Sequence, residues 1–346
     1  MKLIIDAMGG DNAPLEIVKG ALSGQKRWGV DVTLTGDTTA ILQALEACGE
    51  KTLPQGMEIV HTTETVEMCD DPATVFRRKK DTSMGVGLTM LRDGRADAMV
   101  SAGSTGALLT GATLIVKRIR GIRRAAMAPV IPTTTGQAVL IDCGANAECT
   151  PEYLVQFAYL GSYYAHRVLG VERPRVGLLN IGTEDSKGTA LQKEAYALLR
   201  NAGEKGLVNF VGNVEARDVS LGAVDVVVCD GFNGNVLLKT IEGTAMFMGS
   251  LMKRMFKKNL LSKLGYLLCA SGVKDLMKML DYREIGGTPF LGIRKPVIKA
   301  HGASDMLAFR NAVKQAADVA ASDITGELEE NLQRLAAEKE KVTEHD

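Results

Sequence analysis

The hydrophobic pattern repeats one unit along the chain: a short apolar run, a glycine-rich turn and a stretch with helical spacing. The first unit leads from an apolar segment at 2–6 through Gly9 and Gly10 into a helix predicted to begin near Pro14. Five comparable units begin at residues 31, 96, 138, 175 and 225. Strands that alternate with helices indicate a largely parallel sheet covered on both faces, so we predict an α/β fold.

Glycine-rich turns follow five of the predicted strands, with the sequences "MGGDNA", "SAGSTGA", "CGAN", "IGTEDSKG" and "DGFNGN". Because the carboxyl ends of parallel strands meet at one edge of a sheet, we expect these turns to converge on one crevice. Backbone N–H groups at the start of a helix suit a phosphate or a developing oxyanion. For any single turn the alternative stays open that glycine only permits a tight bend.

Two segments depart from this repeating unit. Residues 245–280 have seven lysines or arginines against one acid, with leucine, methionine and phenylalanine at helical spacing. They predict either a basic amphipathic hairpin on anionic lipid or a helical arm that packs against its twin in a dimer. We therefore predict one enzyme domain over 1–346, with a helical protrusion at 240–285 and a charged helix or tail at 323–346.

The composition narrows the functional class. The 346 residues include 41 Lys+Arg and 41 Asp+Glu, so the net charge gives no indication of a nucleic-acid partner. The chain has neither a signal-peptide pattern nor an apolar run of membrane-spanning length, and its six cysteines lack the spacing of zinc ligands. Neither GxxxxGK(S/T) nor GxGxxG occurs. We expect a cytoplasmic enzyme without a metal or an organic cofactor.

A serine-hydrolase interpretation competes with anion binding. Ser104 lies in a strand–turn–helix segment, and Asp230 and His301 follow in the chain order of a Ser-Asp-His triad. This order would support a thioesterase or esterase, whereas Ser104 could instead cap its helix. His301 lies beside a glycine after an apolar strand, which makes it a candidate general acid or base.

Several other charged residues are candidates for the site or for partner contact. Asp6 and Asp11 are expected to shape their turn by accepting backbone N–H groups, and a role in orienting a cation across the crevice is the alternative. Lys187 and Lys239 follow glycine-rich turns and could be either anion ligands or solvated surface groups. The basic runs at 77–80 and 117–124 could dock an acidic partner protein.

The motifs "DAMGGDNAP", "FRRKKDTSM", "SAGSTGALL", "VGLLNIGTED", "GNVEARD", "VVVCDGFNGNVLLKTIEG" and "PVIKAHGASD" resemble the phosphate acyltransferase family of bacterial phospholipid synthesis, from residue 1 to about 320. The resemblance implies transfer of an acyl group from acyl carrier protein to orthophosphate, giving acyl phosphate. It also implies a homodimer and a three-layer α/β/α fold akin to phosphotransacetylases and isopropylmalate-type dehydrogenases. The product would next be used by a membrane acyltransferase acting on glycerol 3-phosphate, which fits peripheral attachment to the inner face of the membrane.

One departure from the family pattern bears on the hydrolase alternative. Where this chain has Ser104, the family usually has asparagine, which cannot act as a serine-type nucleophile. The resemblance therefore argues against a Ser104-dependent mechanism.

Motif position assigns the candidate residues to roles. The catalytic candidates are His301, Lys187 and Asn233. The residues assigned to phosphate or acyl phosphate binding are Asp6, Gly9, Gly10, Ser104, Thr105, Gly106, Asn180, Gly182, Thr183, Asp230, Gly231, Gly234, Asn235 and Lys239. Those assigned to carrier-protein or membrane contact are Arg77, Arg78, Lys253, Arg254, Lys257, Lys258 and Leu267.

Overall fold

The computed structural model describes residues 1–324, 326 and 328, and folds them into two β-sheets flanked by helices. The predicted charged segment at 323–346 lies almost entirely outside the described residues. The α/β fold with mostly parallel strands is confirmed. The strands divide between two sheets, a division that the hydrophobic pattern does not specify.

The larger sheet has seven strands and contains the first half of the repeating units. In spatial order they are β3 (Met57–His61), β2 (Asp31–Gly36), β1 (Lys2–Asp6), β4 (Ala98–Ser101), β12 (Val297–Ala300), β11 (Gly287–Leu291) and β5 (Ala126–Met127). From β3 to β12 neighbouring strands are parallel, whereas β11 runs antiparallel to both β12 and β5. The carboxyl ends of β1, β4 and β12 therefore lie side by side.

The smaller sheet has five strands and contains the later units. In spatial order they are β6 (Val130–Thr133), β7 (Gly136–Ile141), β10 (Val226–Val228), β8 (Arg175–Asn180) and β9 (Asn209–Glu215). Only the edge strand β6 is antiparallel to its neighbour. The sheets are adjacent in sequence at β5 and β6, which are separated by residues 128–129.

Helices flank the two sheets. They are α1 (Leu15–Trp28), α2 (Thr38–Ala47), α3 (Val75–Arg78), α4 (Ser83–Arg92), α5 (Thr105–Gly111), α6 (Pro151–Arg167), α7 (Ala190–Glu204), α8 (Ala216–Ser220), α9 (Gly231–Lys257), α10 (Leu260–Met279) and α11 (Met306–Ala321). A π-helical turn at Ala112–Val116 extends α5, and a 3₁₀ turn spans Tyr282–Glu284. Carboxylates at Asp37, Asp230 and Asp305 cap α2, α9 and α11.

A continuous apolar core joins the two sheets. It includes Leu3 and Ile5 of β1, Val226 and Val228 of β10, and Leu160 of α6, all without solvent exposure. Burial of each such side chain contributes roughly 1.5–3 kcal/mol. The core therefore fixes how the strand ends of the two sheets face one another.

The segment 240–285, for which a helical protrusion is predicted, contains the last part of α9 and the whole of α10. The last part of α9 and the whole of α10 form an antiparallel pair in which Phe256 and Tyr266 meet edge to face, with ring centroids 5.3 Å apart. No residue of α10 is buried, and Leu260, Leu261 and Leu268 are more than three-quarters exposed. Within the described residues, none of the helices has both the length and the apolar character needed to cross a bilayer.

Two buried carboxylates hold the turns at the strand ends, one in each sheet. Asp6 ends β1 and accepts hydrogen bonds from the Ser83 hydroxyl at 2.7 Å and the Ser101 hydroxyl at 2.6 Å. Asp142 follows β7 and accepts the backbone N–H groups of Met127, Cys143 and Asn146 at 2.6–2.8 Å. Burial raises the pKa of both carboxyl groups, while the hydrogen bonds oppose that shift.

We predict that Asp142→Ala lowers the free energy of unfolding by about 3 kcal/mol, because it leaves three N–H groups of a buried turn without an acceptor. Urea unfolding followed by fluorescence of Trp28, the single tryptophan, measures the change. As a control, Asp185→Ala in an exposed loop should change it by less than about 0.5 kcal/mol. Equal effects of the two substitutions would contradict the role of Asp142.

Candidate active site

A cavity of about 730 Å³ lies between the two sheets. Its polar end is formed by the turns that follow β1, β4 and β12 of the larger sheet and β7 of the smaller sheet. One face of α9 forms a side wall. Of the residues assigned to catalysis or phosphate binding, those that line the cavity are Gly10, Ser104, Thr105, Asn235, Lys239 and His301.

The turns after β1 and β12 are tied to each other. The Asp11 N–H donates to the Gly302 carbonyl at 2.8 Å, and the Asn12 amide donates to the Ala303 and Ser304 carbonyls at 3.3 Å. Gly9 does not line the cavity, because it packs against the turn after β4: a Cβ there would collide with the Gly103 nitrogen. Hydrogen bonds between the turns after β1 and β12 therefore fix the polar end of the cavity.

The turn after β4 leads into α5. Ser104 is 7% exposed, and its hydroxyl accepts the Ala107 N–H at 3.5 Å in the N-cap position. Thr105 lines the cavity in the first turn, whereas Gly106 faces the Pro72 ring and does not. The capping alternative for Ser104 is therefore the geometry observed.

The start of α9 is held against the turn after β7. The Asp230 carboxylate accepts the Asn233 backbone N–H at 2.8 Å and its side-chain amide at 2.7 Å. A Cβ at Gly234 would collide with the Asp142 carbonyl, and the Gly231 N–H donates to the Asn146 carbonyl at 2.7 Å. The start of α9 is thus positioned by four residues that do not line the cavity: Asp230, Gly231, Asn233 and Gly234. Asn235, the next residue, does line it.

Lys299 is a buried cation at the polar end of the cavity. It lies in β12, is 8% exposed, and its ammonium group donates to the carbonyls of Ala102 and Ala300. Burial lowers the pKa of Lys299 to about 8, while the nearby carboxylates of Asp6 and Asp11 oppose the shift. The group is therefore charged at neutral pH and loses its charge only above about pH 8.

His301 follows β12 on the same wall. Its Nδ1 accepts the Ala303 N–H at 3.2 Å, so the neutral ring has its proton on Nε2. Burial lowers the pKa of His301 below the ordinary value of 6.5, and the positive charges of Lys239 and Lys299 lower it further. At neutral pH the ring is thus uncharged, and its Nε2–H can donate to an oxyanion or a leaving group.

This geometry opposes the hydrolase triad. In a triad the acid accepts a proton from His Nδ1, yet Nδ1 of His301 is itself an acceptor. The two oxygens of Asp230 are bonded to Asn233. The Nδ1 atom that a triad acid would bind therefore accepts the Ala303 N–H, and the Asp230 carboxylate serves as a helix cap.

The turn after β8 lies apart from the cavity. Asn180, Gly182, Thr183 and Lys187 are absent from the cavity lining among the described residues, so the five glycine-rich turns do not all converge. The strand order explains this separation. Strand β10 lies between β7, whose following turn lines the cavity, and β8. Lys187 is exposed, with its ammonium group 4.0 Å from a Glu184 carboxylate oxygen.

The residues assigned to partner contact are all exposed. Arg77 and Arg78 lie on α3, close in sequence to residues 65–68, which line the cavity. Lys253, Arg254 and Lys257 lie on α9, Lys258 follows it, and Leu267 lies on α10. In the described part of the chain, no group of three or more His, Cys, Asp or Glu residues could hold a metal ion.

Two polar residues that shape the site, Lys299 and Asp142, are not predicted from the sequence. Lys299 occupies one position of the apolar strand "VIKA", where a single lysine suggests an edge or solvent-facing position. Asp142 follows "AVLI" and is indistinguishable in sequence from any turn aspartate. The only available signal for Lys299 is its position two residues before His301.

Solved structures with low sequence identity share the fold. A phosphotransacetylase from Streptococcus pyogenes aligns with a TM-score of 0.61 at 17% identity, over 94% of each chain. A 4-hydroxythreonine-4-phosphate dehydrogenase from Burkholderia phymatum aligns with a TM-score of 0.53 at 14% identity, over 92% of this chain and 98% of that one. These likenesses confirm the expected similarity to the phosphotransacetylase fold.

Sequence comparison identifies the family. The family model described as "Fatty acid synthesis protein" matches residues 1–326. A phosphate acyltransferase of Thermoanaerobacterium thermosaccharolyticum is 44% identical over 97% of this chain and 98% of its own length. A phosphate acyltransferase of a Geobacillus species is 46% identical over 96% of this chain and 99% of its own length. The family expected from the motifs is confirmed: the chain belongs to the fatty acid synthesis protein family that includes these phosphate acyltransferases.

Proposed function

We propose that this acyltransferase moves a fatty acyl group from the thioester of acyl carrier protein to orthophosphate, giving acyl phosphate for glycerolipid synthesis. The observation that carries the proposal is the buried ammonium group of Lys299, which lies in one cavity with His301 and the start of α5. A desolvated cation beside backbone N–H groups suits a doubly charged phosphate. The relatives' shared name supports the same reaction.

Phosphate is expected at the polar end, with Lys299 as its main charged ligand. Gly10, Thr105 and Asn235 line the same space and supply candidate hydrogen-bond donors. Lys239 also faces the cavity, but its ammonium group lies 2.7 Å from a Glu242 carboxylate oxygen and its charge is largely balanced. Lys239 is therefore the weaker candidate for holding the anion.

The proposed chemistry needs no covalent enzyme intermediate. A phosphate oxygen attacks the thioester carbonyl carbon, and the carbonyl oxygen becomes an oxyanion. When the intermediate collapses, the C–S bond breaks, and the pantetheine sulfur leaves as a thiolate that takes the proton released by the attacking hydrogen phosphate. The Nε2–H of neutral His301 is the candidate hydrogen-bond donor to the oxyanion or to the leaving sulfur.

Three partners are part of the proposal. The acidic carrier protein would dock on the exposed basic residues Arg77 and Arg78 of α3, so salt should weaken its binding. A second copy of the chain would complete a homodimer. The basic and apolar helical pair would rest on the inner face of the membrane, where the glycerol 3-phosphate acyltransferase that uses the product acts.

Thiol release from hexadecanoyl carrier protein, measured with and without orthophosphate, tests the proposed reaction. Hydroxylamine trapping converts acyl phosphate to a hydroxamate and identifies the product. We expect release to require phosphate and the hydroxamate to form in equal amount. Release that ignores phosphate and stops after fluorophosphonate treatment would support the serine thioesterase alternative instead.

We predict that His301→Ala lowers kcat by about 100-fold, the usual effect of removing one donor to an oxyanion or a leaving group. Steady-state kinetics with hexadecanoyl carrier protein measure the change. His166→Ala serves as the matched control, because His166 lies on α6 outside the cavity lining. An unchanged kcat in the His301→Ala enzyme would contradict the assignment of His301 as the donor.

For phosphate binding, we predict that the KM for phosphate rises as the pH passes about 8, because Lys299 loses its charge there. Lys299→Met should raise this KM by about 10–100-fold at pH 7 and abolish the alkaline rise, since a hydrogen bond to a charged group contributes roughly 1.5–3 kcal/mol. Lys239→Met should change the KM much less. An alkaline rise that survives in Lys299→Met would contradict the assignment.

At the helical pair, Leu267→Glu is predicted to abolish binding to vesicles of anionic lipid and to leave the oligomeric state unchanged. Leu267 is 70% exposed on α10, and a carboxylate there opposes both insertion and charge attraction. Flotation measures binding, and Leu221→Glu is the control, because Leu221 is 60% exposed away from the helical pair. Unchanged flotation of Leu267→Glu would refute lipid contact at this residue.

A further inference from the structure

The cavity continues beyond its polar end into an apolar arm. The arm is bounded by Leu238, Ile241, Glu242 and Ala245 of α9, by Val130–Pro132 of β6, and by Met279, Leu280, Asp281 and Ile285. Neither the phosphate nor the reacting carbonyl needs this space, since their candidate ligands all lie at the polar end. The lining of this arm therefore suits a separate, apolar part of a ligand.

Helical geometry gives the direction and length of the arm. Asn235 faces the cavity near Gly144, and Ala245 lines it ten residues later, which corresponds to about 15 Å along the helix axis. Leu238, Ile241 and Ala245 follow at spacings of three and four residues, so they form one apolar edge. An extended alkyl chain advances roughly 1.2 Å per carbon–carbon bond, so about a dozen such bonds fit beside this apolar edge.

The far end of the arm is anchored to the rest of the fold. Arg283 bonds to the Asp281 carboxylate at 2.6 Å and to the Asp305 carboxylate, the cap of α11, at 2.9 Å. The Asn311 amide donates to the Arg283 carbonyl at 2.8 Å. Asp281 also lines the cavity, but this pairing satisfies its charge. The end wall is thus held in place at the base of the helical pair.

We propose that this arm binds the fatty acyl chain, with the thioester carbonyl at the His301 end and the terminal methyl group beside Ala245 and Met279. The arm leads away from His301 along α9, and its lining is mostly apolar. The two acidic side chains in it, Glu242 and Asp281, are paired with Lys239 and Arg283. Burial of each methylene contributes about 0.8 kcal/mol, or about fourfold in binding. The depth at Ala245 then sets the preferred chain length.

The terminal methyl group would lie where α10 ends and the exposed helical pair begins. The acyl end of the product therefore faces the surface proposed to rest on lipid. This assignment rests on the proposed function, because an acyl substrate is assumed. It adds the location of the chain and the residue that limits its length.

Ala245→Phe tests the assignment by blocking the far end of the arm. The kcat/KM values for hexadecanoyl and octanoyl carrier protein are compared, with phosphate saturating. We expect the ratio of the longer to the shorter substrate to fall at least tenfold, because two or more methylenes lose their burial. Thr244→Phe, on an exposed position one residue away, should leave the ratio unchanged.

The outcomes separate the arm from the reaction. A ratio that stays constant in a folded Ala245→Phe enzyme, or equal losses for both chain lengths, would overturn the acyl-chain site and leave the phosphate reaction intact. Wild-type enzyme that releases thiol without phosphate would overturn the reaction itself. If Ala245→Phe fails to fold, Ala245→Leu should give the same trend with a smaller, at least threefold, fall in the ratio.

Discussion

The buried charge of Lys299 is the constraint on which the site depends. An ammonium group removed from water is costly, and here carbonyl oxygens from the ends of β4 and β12 together with the carboxylates of Asp6 and Asp11 offset that cost. The same carboxylate of Asp6 joins the turn after β1 to Ser83 and Ser101. The charge, the turns and the parallel strand ends therefore form one arrangement, and the proposed phosphate site depends on it.

The smaller sheet supplies the opposite side of the cavity by similar means. Asp142 accepts the N–H groups of its own turn, and Gly234 allows the first turn of α9 to pack closely against that turn. From there α9 runs as one helix past the polar end, along the apolar arm and out into the exposed helical pair. One element thus links the proposed phosphate site, the proposed acyl site and the proposed lipid contact, which suits an enzyme whose product is an amphiphile.

The sequence predicts the repeating strand–turn–helix units and the α/β fold, because hydrophobic periodicity and glycine placement are local signals. It does not predict strand order, so the sequence places the turn at 180–187 with the site although β10 separates β8 from β7. The sequence does not indicate that Lys299 is buried, because burial of a lysine depends on partners distant in sequence, here Asp6 and the Ala102 carbonyl. Local patterns thus identify the elements, whereas tertiary contacts decide which polar groups share a cavity.

A crystal structure of the enzyme with arsenate, an anomalous scatterer that replaces phosphate, tests the central claim most directly. The account predicts one arsenate in the cavity, within hydrogen-bonding distance of the Lys299 ammonium group and near the start of α5. Arsenate bound instead by Asn180, Thr183 and Lys187 in the turn after β8, with the cavity unoccupied, would contradict it. The same density would show whether the anion lies on the His301 side, where the acyl carbonyl is expected.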